Sequence, residues 1–268
     1  MDAAAIARTV LSAIDGGSQM EPFTTKDAGF TEAQAYVVTA QLRALRMARG
    51  EKPVGRKIGF TNRTIWEEYG IFQPIWGDVY DTTFRDVRPG DKVAVSQLPE
   101  PRIEPEIVLG LGRDLGPGMS IDEIGQSIDW IAHGFEFVQS IFPDWKFNVA
   151  DCVADGGLHG RLFVGPRLDL SADQRITLAR DLSRLTISLS RNGETVDRGV
   201  GANVLDGPIQ ALAHLTAVLG KDTLNPPPRA GEIVTTGTLT RAFPVLPGER
   251  WSTDIQGIEL PGLSVEIA

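Results

Sequence analysis

Over its first fifty residues the chain repeats apolar side chains at helical intervals. Ile6, Val10, Leu11 and Ile14 form one set, and after a loop through Pro22 come Ala35, Val38, Leu42, Leu45 and Met47, with Gly50 where a helix C-cap is expected. Two helices are predicted. From Val54 onward the pattern changes to short β-like runs separated by Gly and Pro: "KIGFT", "IWGDVYDTTF", "DKVAVSQL", "RIEPEIVLGLG", "GRLFVGP", "RLTISLSRNGETVDRG", "GEIVTTGTL" and "LSVEIA". Leu185, Ile187 and Leu189 alternate with polar residues ahead of Asn192-Gly193, which predicts a hairpin closed by a type I′ turn. Two more helices are expected between strands. One opens at Ser120, with Glu123 at capping-box spacing, and runs toward His133; the other covers "DGPIQALAHLTAVLG" and stops at Gly220.

Strands in runs with helices inserted point to an α+β fold with a mixed or antiparallel sheet. Residues 1–52 are expected to form a helical segment packed on a β-rich main domain, residues 53–268. "NPPPRAGE" reads as a stiff turn between elements rather than a linker. No GxGxxG or GxxxxGK[ST] motif follows a strand, which argues against a doubly wound nucleotide-binding fold.

Composition narrows the partners. With 42% hydrophobic residues in 268, the chain can bury a sizeable core. Lys and Arg total 26 against 35 for Asp and Glu, a formal net charge of -9, and no dense basic cluster tracks a phosphate backbone, so nucleic acid is not expected as a partner. No apolar run approaches the roughly eighteen residues of a membrane helix. Asp2, Arg8 and Asp15 interrupt the first helix before a signal-peptide core could form. A single cysteine, Cys152, leaves no internal disulfide and no CxxC site, which fits a cytoplasmic location.

The chemistry concentrates in "PRIEPEIVLGLG", residues 101–112. Residues i and i+2 of a strand share a face, so Glu104 and Glu106 project together amid Ile103, Ile107 and Leu109, and Pro105 between them requires an edge, a bulge or a strand start. Two adjacent carboxylates in a dry setting repel each other unless a proton or cation sits between them. Hard oxygen ligands favour Mg²⁺ or Mn²⁺, and Glu136, the lone acid of "WIAHGFEFVQSIF", offers a third ligand. Spacing alone equally allows an exposed edge strand with Glu136 paired to an arginine. Lys57, in "GRKIGFTN", reads either as a desolvated proton carrier or as an ordinary lysine on a strand's polar face.

Five motifs, "GRKIGFTN", "PRIEPEIVLGL", "GFEFVQS", "GANVLDGPIQALAHL" and "AGEIVTTGTL", occur in the order found in the 2-keto-4-pentenoate hydratase and 4-oxalocrotonate decarboxylase branch of the fumarylacetoacetate hydrolase superfamily, which the chain resembles over nearly its whole length. The resemblance implies a mixed β-sandwich or roll with helices around it. It implies Mg²⁺ or Mn²⁺ held by Glu104, Glu106 and Glu136, Lys57 as the active-site lysine, and a homo-oligomer. The implied substrate is a short 2-oxo or 2-hydroxy acid from aromatic-compound catabolism. Hydration of a 2-hydroxy-2,4-dienoate is the first expectation, decarboxylation of a 4-oxalocrotonate-like enedioate the second. A C–C hydrolase of acylpyruvates, or a non-catalytic subunit associated with a related hydratase or decarboxylase, stands further back.

Two departures bear on that choice. Hydratases of the branch often carry an acid between the Pro and the Gly of the segment that here reads "FQPIWGDVYD", where Ile75-Trp76 stands instead; Asp78 is the nearest acid. Related enzymes often have a Ser-bearing loop where this chain has Gly156, Gly157 and His159. Thr61, Asp78, His159, Thr236 and Gly237 are the candidate substrate-binding residues, and His133, His214 and Cys152 read as packing residues.

Overall fold

Both predicted N-terminal helices form, and their ends follow from local chemistry. The computed structural model describes residues 2–268, apart from the side chains of Glu68 and Tyr69. Helix α1 (Ala3–Gly16) is capped by Asp2, which accepts from the Ala4 amide, and Gly17 closes it in the left-handed conformation. After a single turn, α2 (Phe23–Lys26), helix α3 (Glu32–Ala48) opens with a capping box between Thr31 and Gln34.

The chain then runs through β1 (Pro53–Gly59), α4 (Trp66–Tyr69), β2 (Ile75–Tyr80), β3 (Phe84–Asp86), β4 (Asp91–Val93) and β5 (Arg102–Leu111). Next come α5 (Ile121–Gln126), β6 (Ile128–Val138), α6 (Val149–Ala154), β7 (His159–Asp169) and α7 (Ala172–Arg184). The last third holds β8 (Thr186–Arg191), β9 (Glu194–Val200), α8 (Pro208–Leu219), β10 (Ile233–Thr235), β11 (Phe243–Pro244), β12 (Arg250–Gln256) and β13 (Ser264–Ile267).

The strands form two mixed sheets. The larger has the order β2-β1-β10-β5-β6-β7-β3, with β11 also on β5, and its β1/β10 and β3/β7 pairs are parallel. The smaller has the order β4-β13-β12-β8-β9. Ile103, Phe135, Phe137 and Phe163 of the larger sheet pack with Leu189, Trp251, Val265 and Ile267 of the smaller in one buried cluster. Each such side chain contributes about 1.5–3 kcal/mol on burial. Leu109, Ile131 and Val234 meet Leu178, Leu182, Ile209 and Leu212 from α7 and α8, while Ile6, Val10, Val38 and Leu42 pack with Ile141, Phe142 and Val153. The helical N-terminus is thereby seated on α6 and the segment after β6.

The predicted hairpin is β8-β9, and Asn192 and Gly193 adopt the positive φ values, 52° and 88°, that a type I′ turn requires. Other expectations are corrected. The helix from Ser120 ends at Gln126 rather than running toward His133, because Ile128–Val138 pairs with β5 along nearly its whole length. A β-branched and aromatic run overrides the helical start. Helix α7 and strand β12 were not predicted: α7 buries only Leu178 and Leu182, and β12 fully buries only Trp251, so neither shows a strong apolar period.

A candidate metal centre beside Lys57

Four neighbouring strands, β1, β10, β5 and β6, bring the candidate residues together. Glu104 stands directly opposite Glu136 across β5 and β6, Glu106 lies opposite Gly134, and Lys57 on β1 is level with Thr235 on β10. Pro105 is not at the edge of the sheet. Ladder pairs of β5 with β10 span Val108–Gly110 and those with β11 span Arg102–Ile103, so Pro105 falls in the gap between them, where no ladder amide is needed.

One oxygen from each of Glu104, Glu106 and Glu136 lies within 4.8 Å of the others. Glu106 and Glu136 are fully buried, and Glu104 is partly exposed at the pocket wall. Glu106 Oε2 accepts from the Gly237 amide at 2.7 Å and from the Thr235 hydroxyl. Glu136 Oε1 meets His159 Nδ1 at 2.7 Å, and its Oε2 faces Lys57 Nζ at 3.4 Å. Burial raises the Glu104 carboxyl to about 7, against the pull of Lys57 and with the push of Glu136. Burial, then Glu136 and Glu104, push Glu106 well above the usual carboxylate range. Glu136 alone is held low: burial opposes its charge, but Lys57 and His159 outweigh it.

Lys57 is buried among these acids and donates to the Gly157 carbonyl at 2.9 Å. Burial works to lower its pKa, yet Glu136, Glu104 and Glu106 together raise it, so it stays an ammonium. Gly156 and Gly157, at φ 89° and 80°, make the turn that presents that carbonyl, and a Cβ on Gly77 would lie 1.9 Å from the Gly156 carbonyl oxygen.

The remaining candidates divide. Lys57, Thr61, Glu104 and Gly237 line one pocket together with Phe60, Asn62, Ile65, Val138, Trp145, Leu158 and Thr238. Gly237, at φ 100°, approaches Thr61 so closely that a Cβ would sit 1.8 Å from its hydroxyl oxygen. Thr236 turns its hydroxyl to the Ile107 carbonyl, 3.1 Å away, and is not among the lining residues. Asp78 lies elsewhere. Its carboxylate takes two hydrogen bonds from Arg43, at 2.8 and 3.0 Å, and pairs with Arg56 at 3.1 Å. His159 touches Glu136 rather than the pocket. His133, on β6, bonds the Glu106 carbonyl through Nδ1 at 2.9 Å, and burial holds it down to about 4.

Sequence reasoning missed Asn62, Ile65, Val138 and Trp145 as pocket walls and Thr83 as the partner of His159 at 2.9 Å. Asn62 ends the "GRKIGFTN" motif and was within reach; nothing local marks the others, which arrive through long-range packing.

The donor set fits a hard divalent cation. Glu106 Oε1 and Glu136 Oε2 are buried without a hydrogen-bond partner, and three carboxylates face one ammonium. Such oxygens in a dry site require a proton or a cation, and oxygen-only ligation suits Mg²⁺, Mn²⁺ or Ca²⁺.

Comparison with known proteins agrees with this architecture. The chain is 30% identical to the 2-hydroxyhexa-2,4-dienoate hydratase of Comamonas testosteroni over 247 residues, 92% of this chain and 90% of that protein. It is 33% identical to the 4-oxalocrotonate decarboxylase of Pseudomonas sp. strain CF600, covering 85% and 83%. The structure superposes on the 4-oxalocrotonate decarboxylase of Pseudomonas putida G7, solved with magnesium and adipate, at a TM-score of 0.89 and 30% identity, covering 99% and 97%. Residues 83–261 match the fumarylacetoacetate (FAA) hydrolase C-terminal family, and the chain belongs to that family.

Proposed function

We propose that the protein is a divalent-metal-dependent lyase that hydrates a short 2-hydroxy-2,4-dienoate to a 4-hydroxy-2-oxo acid in aromatic-compound catabolism. The observation that carries this reading is the pairing of a three-carboxylate cluster and one buried ammonium with an apolar pocket wall. Ile65, Val138, Trp145 and Leu158 line the pocket, and Lys57 is the only Lys or Arg among its described lining residues. Arg102 stacks on the Trp145 ring, 4.2 Å from its centroid, and is not one of the lining groups. A substrate with one carboxylate and a hydrocarbon tail suits those walls.

A divalent cation held by Glu104, Glu106 and Glu136 supplies positive charge for the substrate's carboxylate and neighbouring oxygen, and offsets the negative charge that grows there during reaction. The protein's own groups do the rest. Gly237 and Thr235 fix one oxygen of Glu106, and His159 fixes one of Glu136. The Lys57 ammonium, aimed by the Gly157 carbonyl, delivers a proton to C5 and recovers one from the 2-hydroxyl, which converts the dienol to a conjugated 2-oxo acid. Water then adds across C3 and C4, with hydroxyl at C4. The apolar walls keep other water from the tail.

The second reading, decarboxylation of a 2-oxo-enedioate, is favoured by one observation. Ile75 and Trp76 are buried, and Asp78 is committed to Arg43 and Arg56, so the "FQPIWGDVYD" segment offers no acid to position water. Purified protein with Mg²⁺ and either 2-hydroxypenta-2,4-dienoate or 2-oxohex-3-enedioate separates the two. Hydrated product identified by NMR supports hydration; CO₂ from the enedioate without hydration of the dienoate replaces it with the second reading; no turnover of either overturns both. A homo-oligomer, free-standing or associated with a related hydratase or decarboxylase, and a cytoplasmic location belong to the same proposal, and light scattering of the purified protein checks the assembly. Among the described residues, no helix is long and apolar enough to cross a membrane.

A further inference from the structure

His159 is the first residue of β7, and it makes two side-chain contacts. Nδ1 lies 2.7 Å from Glu136 Oε1, and Nε2 lies 2.9 Å from the Thr83 hydroxyl. A carboxylate oxygen only accepts, so Nδ1 carries the proton and donates it. Thr83 is itself fixed by the turn after β2, where the Tyr80 amide donates to its Oγ1 at 3.1 Å. The line from Tyr80 through Thr83 and His159 to Glu136 thus starts on backbone and ends on a candidate metal ligand.

Glu136 needs this restraint. It stands directly opposite Glu104, and like charges so placed repel. A freely rotating Glu136 would swing one oxygen away or turn both toward Lys57. His159 occupies Oε1 and leaves Oε2 without a hydrogen-bond partner, facing Lys57 at 3.4 Å, in a carboxylate of which one oxygen lies within 4.8 Å of an oxygen of each of the other two acids. The geometry points to His159 as a positioning residue that, anchored by Thr83, sets the Glu136 carboxylate so that one oxygen is presented to a divalent cation. This rests on the proposed metal-dependent function and adds to it a residue outside the pocket, acting through Glu136. Partners that orient a metal ligand typically govern affinity by 10–100-fold.

Mn²⁺ binding, followed by electron paramagnetic resonance titration without substrate, tests it on wild type, His159→Leu, His159→Asn and Thr83→Val. Asparagine places an amide donor near the position of Nδ1; leucine places none. The expected result is a Kd for Mn²⁺ weakened by about tenfold or more in His159→Leu, substantially restored in His159→Asn, and weakened in the same direction in Thr83→Val. Wild-type affinity in a folded leucine variant overturns the inference. So does equal weakening with leucine and asparagine, which would make packing rather than the donated hydrogen bond the cause. If the leucine variant does not fold, Thr83→Val decides, and a Kd within about twofold of wild type overturns the anchored-histidine arrangement. A wild-type protein that binds no Mn²⁺ would instead sink the metal-dependent function itself, so the two failures are told apart.

Discussion

Glu104 and Glu136 face each other across β5 and β6 in the larger sheet, and Glu106 joins them from the next same-face position on β5. A folded protein holds three acids this way only against a cost, because burial and mutual repulsion raise Glu104 to about 7 and push Glu106 well above its ordinary value. A bound cation reverses that cost. Adding Mg²⁺ to chelator-treated protein is therefore expected to raise Tm by several degrees, in proportion to the logarithm of its concentration above Kd. Glu106→Gln should abolish most of that rise and lower Mg²⁺-dependent turnover by at least ~100-fold. Differential scanning calorimetry and a dienoate assay check it, and full activity in the glutamine variant would remove Glu106 from the centre.

Lys57 is charged because the acids hold it so, and it therefore competes with any cation for their field. Lys57→Met should separate the two roles. Turnover is expected to fall by about 10²–10⁴-fold, the usual contribution of a positioned proton carrier. Mn²⁺ affinity should stay equal or tighten, since a positive neighbour is lost. Loss of Mn²⁺ binding along with activity would mean that Lys57 supports the site's structure rather than the reaction.

Asp78 provides a contrasting case. Its side chain is 2% exposed and satisfies Arg43 and the equally buried Arg56. Removing one member of a buried ion network leaves the others uncompensated, at a cost of about 3–5 kcal/mol. Asp78→Asn should lower stability in urea by that order while kcat/KM of the folded protein stays close to wild type. A stable variant with lost hydration would return Asp78 to the chemistry as the acid that positions water.

Asp155 supplies a pH dependence away from the acid cluster. Burial raises its carboxyl to about 8, while its Oδ1 accepts the Leu158 amide at 2.7 Å and so helps hold the turn that presents the Gly157 carbonyl. The folded pKa lies above the ordinary value of 3.8, so the folded state binds this proton more tightly than the unfolded state. That contribution is fully present below about 4 and is lost progressively as pH rises toward 8. Asp155→Asn keeps a neutral acceptor for Leu158. The difference in Tm, variant minus wild type, should grow from pH 5 to pH 8; a difference independent of pH would show that Asp155 is not protonated in the folded protein.

What the sequence disclosed about this site follows from the range of each interaction. That Glu104 and Glu106 share a face is a matter of strand parity and was legible, as was the hairpin at Asn192-Gly193. Glu136 was visible only as an isolated acid; that it stands opposite Glu104 depends on the β5/β6 register, fixed by the packing of both strands. Asp78 shows the converse. It lies one residue past Gly77, the partner of Lys57, so its side chain takes the opposite face and pairs with Arg56. His159 looked like a pocket residue because its glycine neighbours suggest a binding loop, yet its contacts, Glu136 and Thr83, lie 23 and 76 positions away. Helix α7 was missed because two buried leucines are a weak periodic signal.

The pocket walls make the choice between one and two substrate carboxylates an experimental variable. Ile65 sits in a short helical turn after the "GRKIGFTN" strand and lines the pocket with Val138, Trp145 and Leu158. Under the hydratase reading these groups meet a hydrocarbon tail, and a second carboxylate against them would lose its hydration to side chains that carry no charge. Ile65→Arg supplies a cation. A charge-assisted hydrogen bond contributes roughly 1.5–3 kcal/mol, so the ratio of kcat/KM for 2-oxohex-3-enedioate over 2-hydroxypenta-2,4-dienoate should rise by about 10–100-fold. Ile65→Met, which keeps an apolar wall, should leave the ratio within about threefold of wild type. Because Ile65 is buried, the arginine should also lower Tm, and ratios measured on the folded protein remove that effect. An unchanged ratio in Ile65→Arg would mean that the distal end of the substrate does not lie against Ile65, and the apolar-wall argument for a single carboxylate would fail with it.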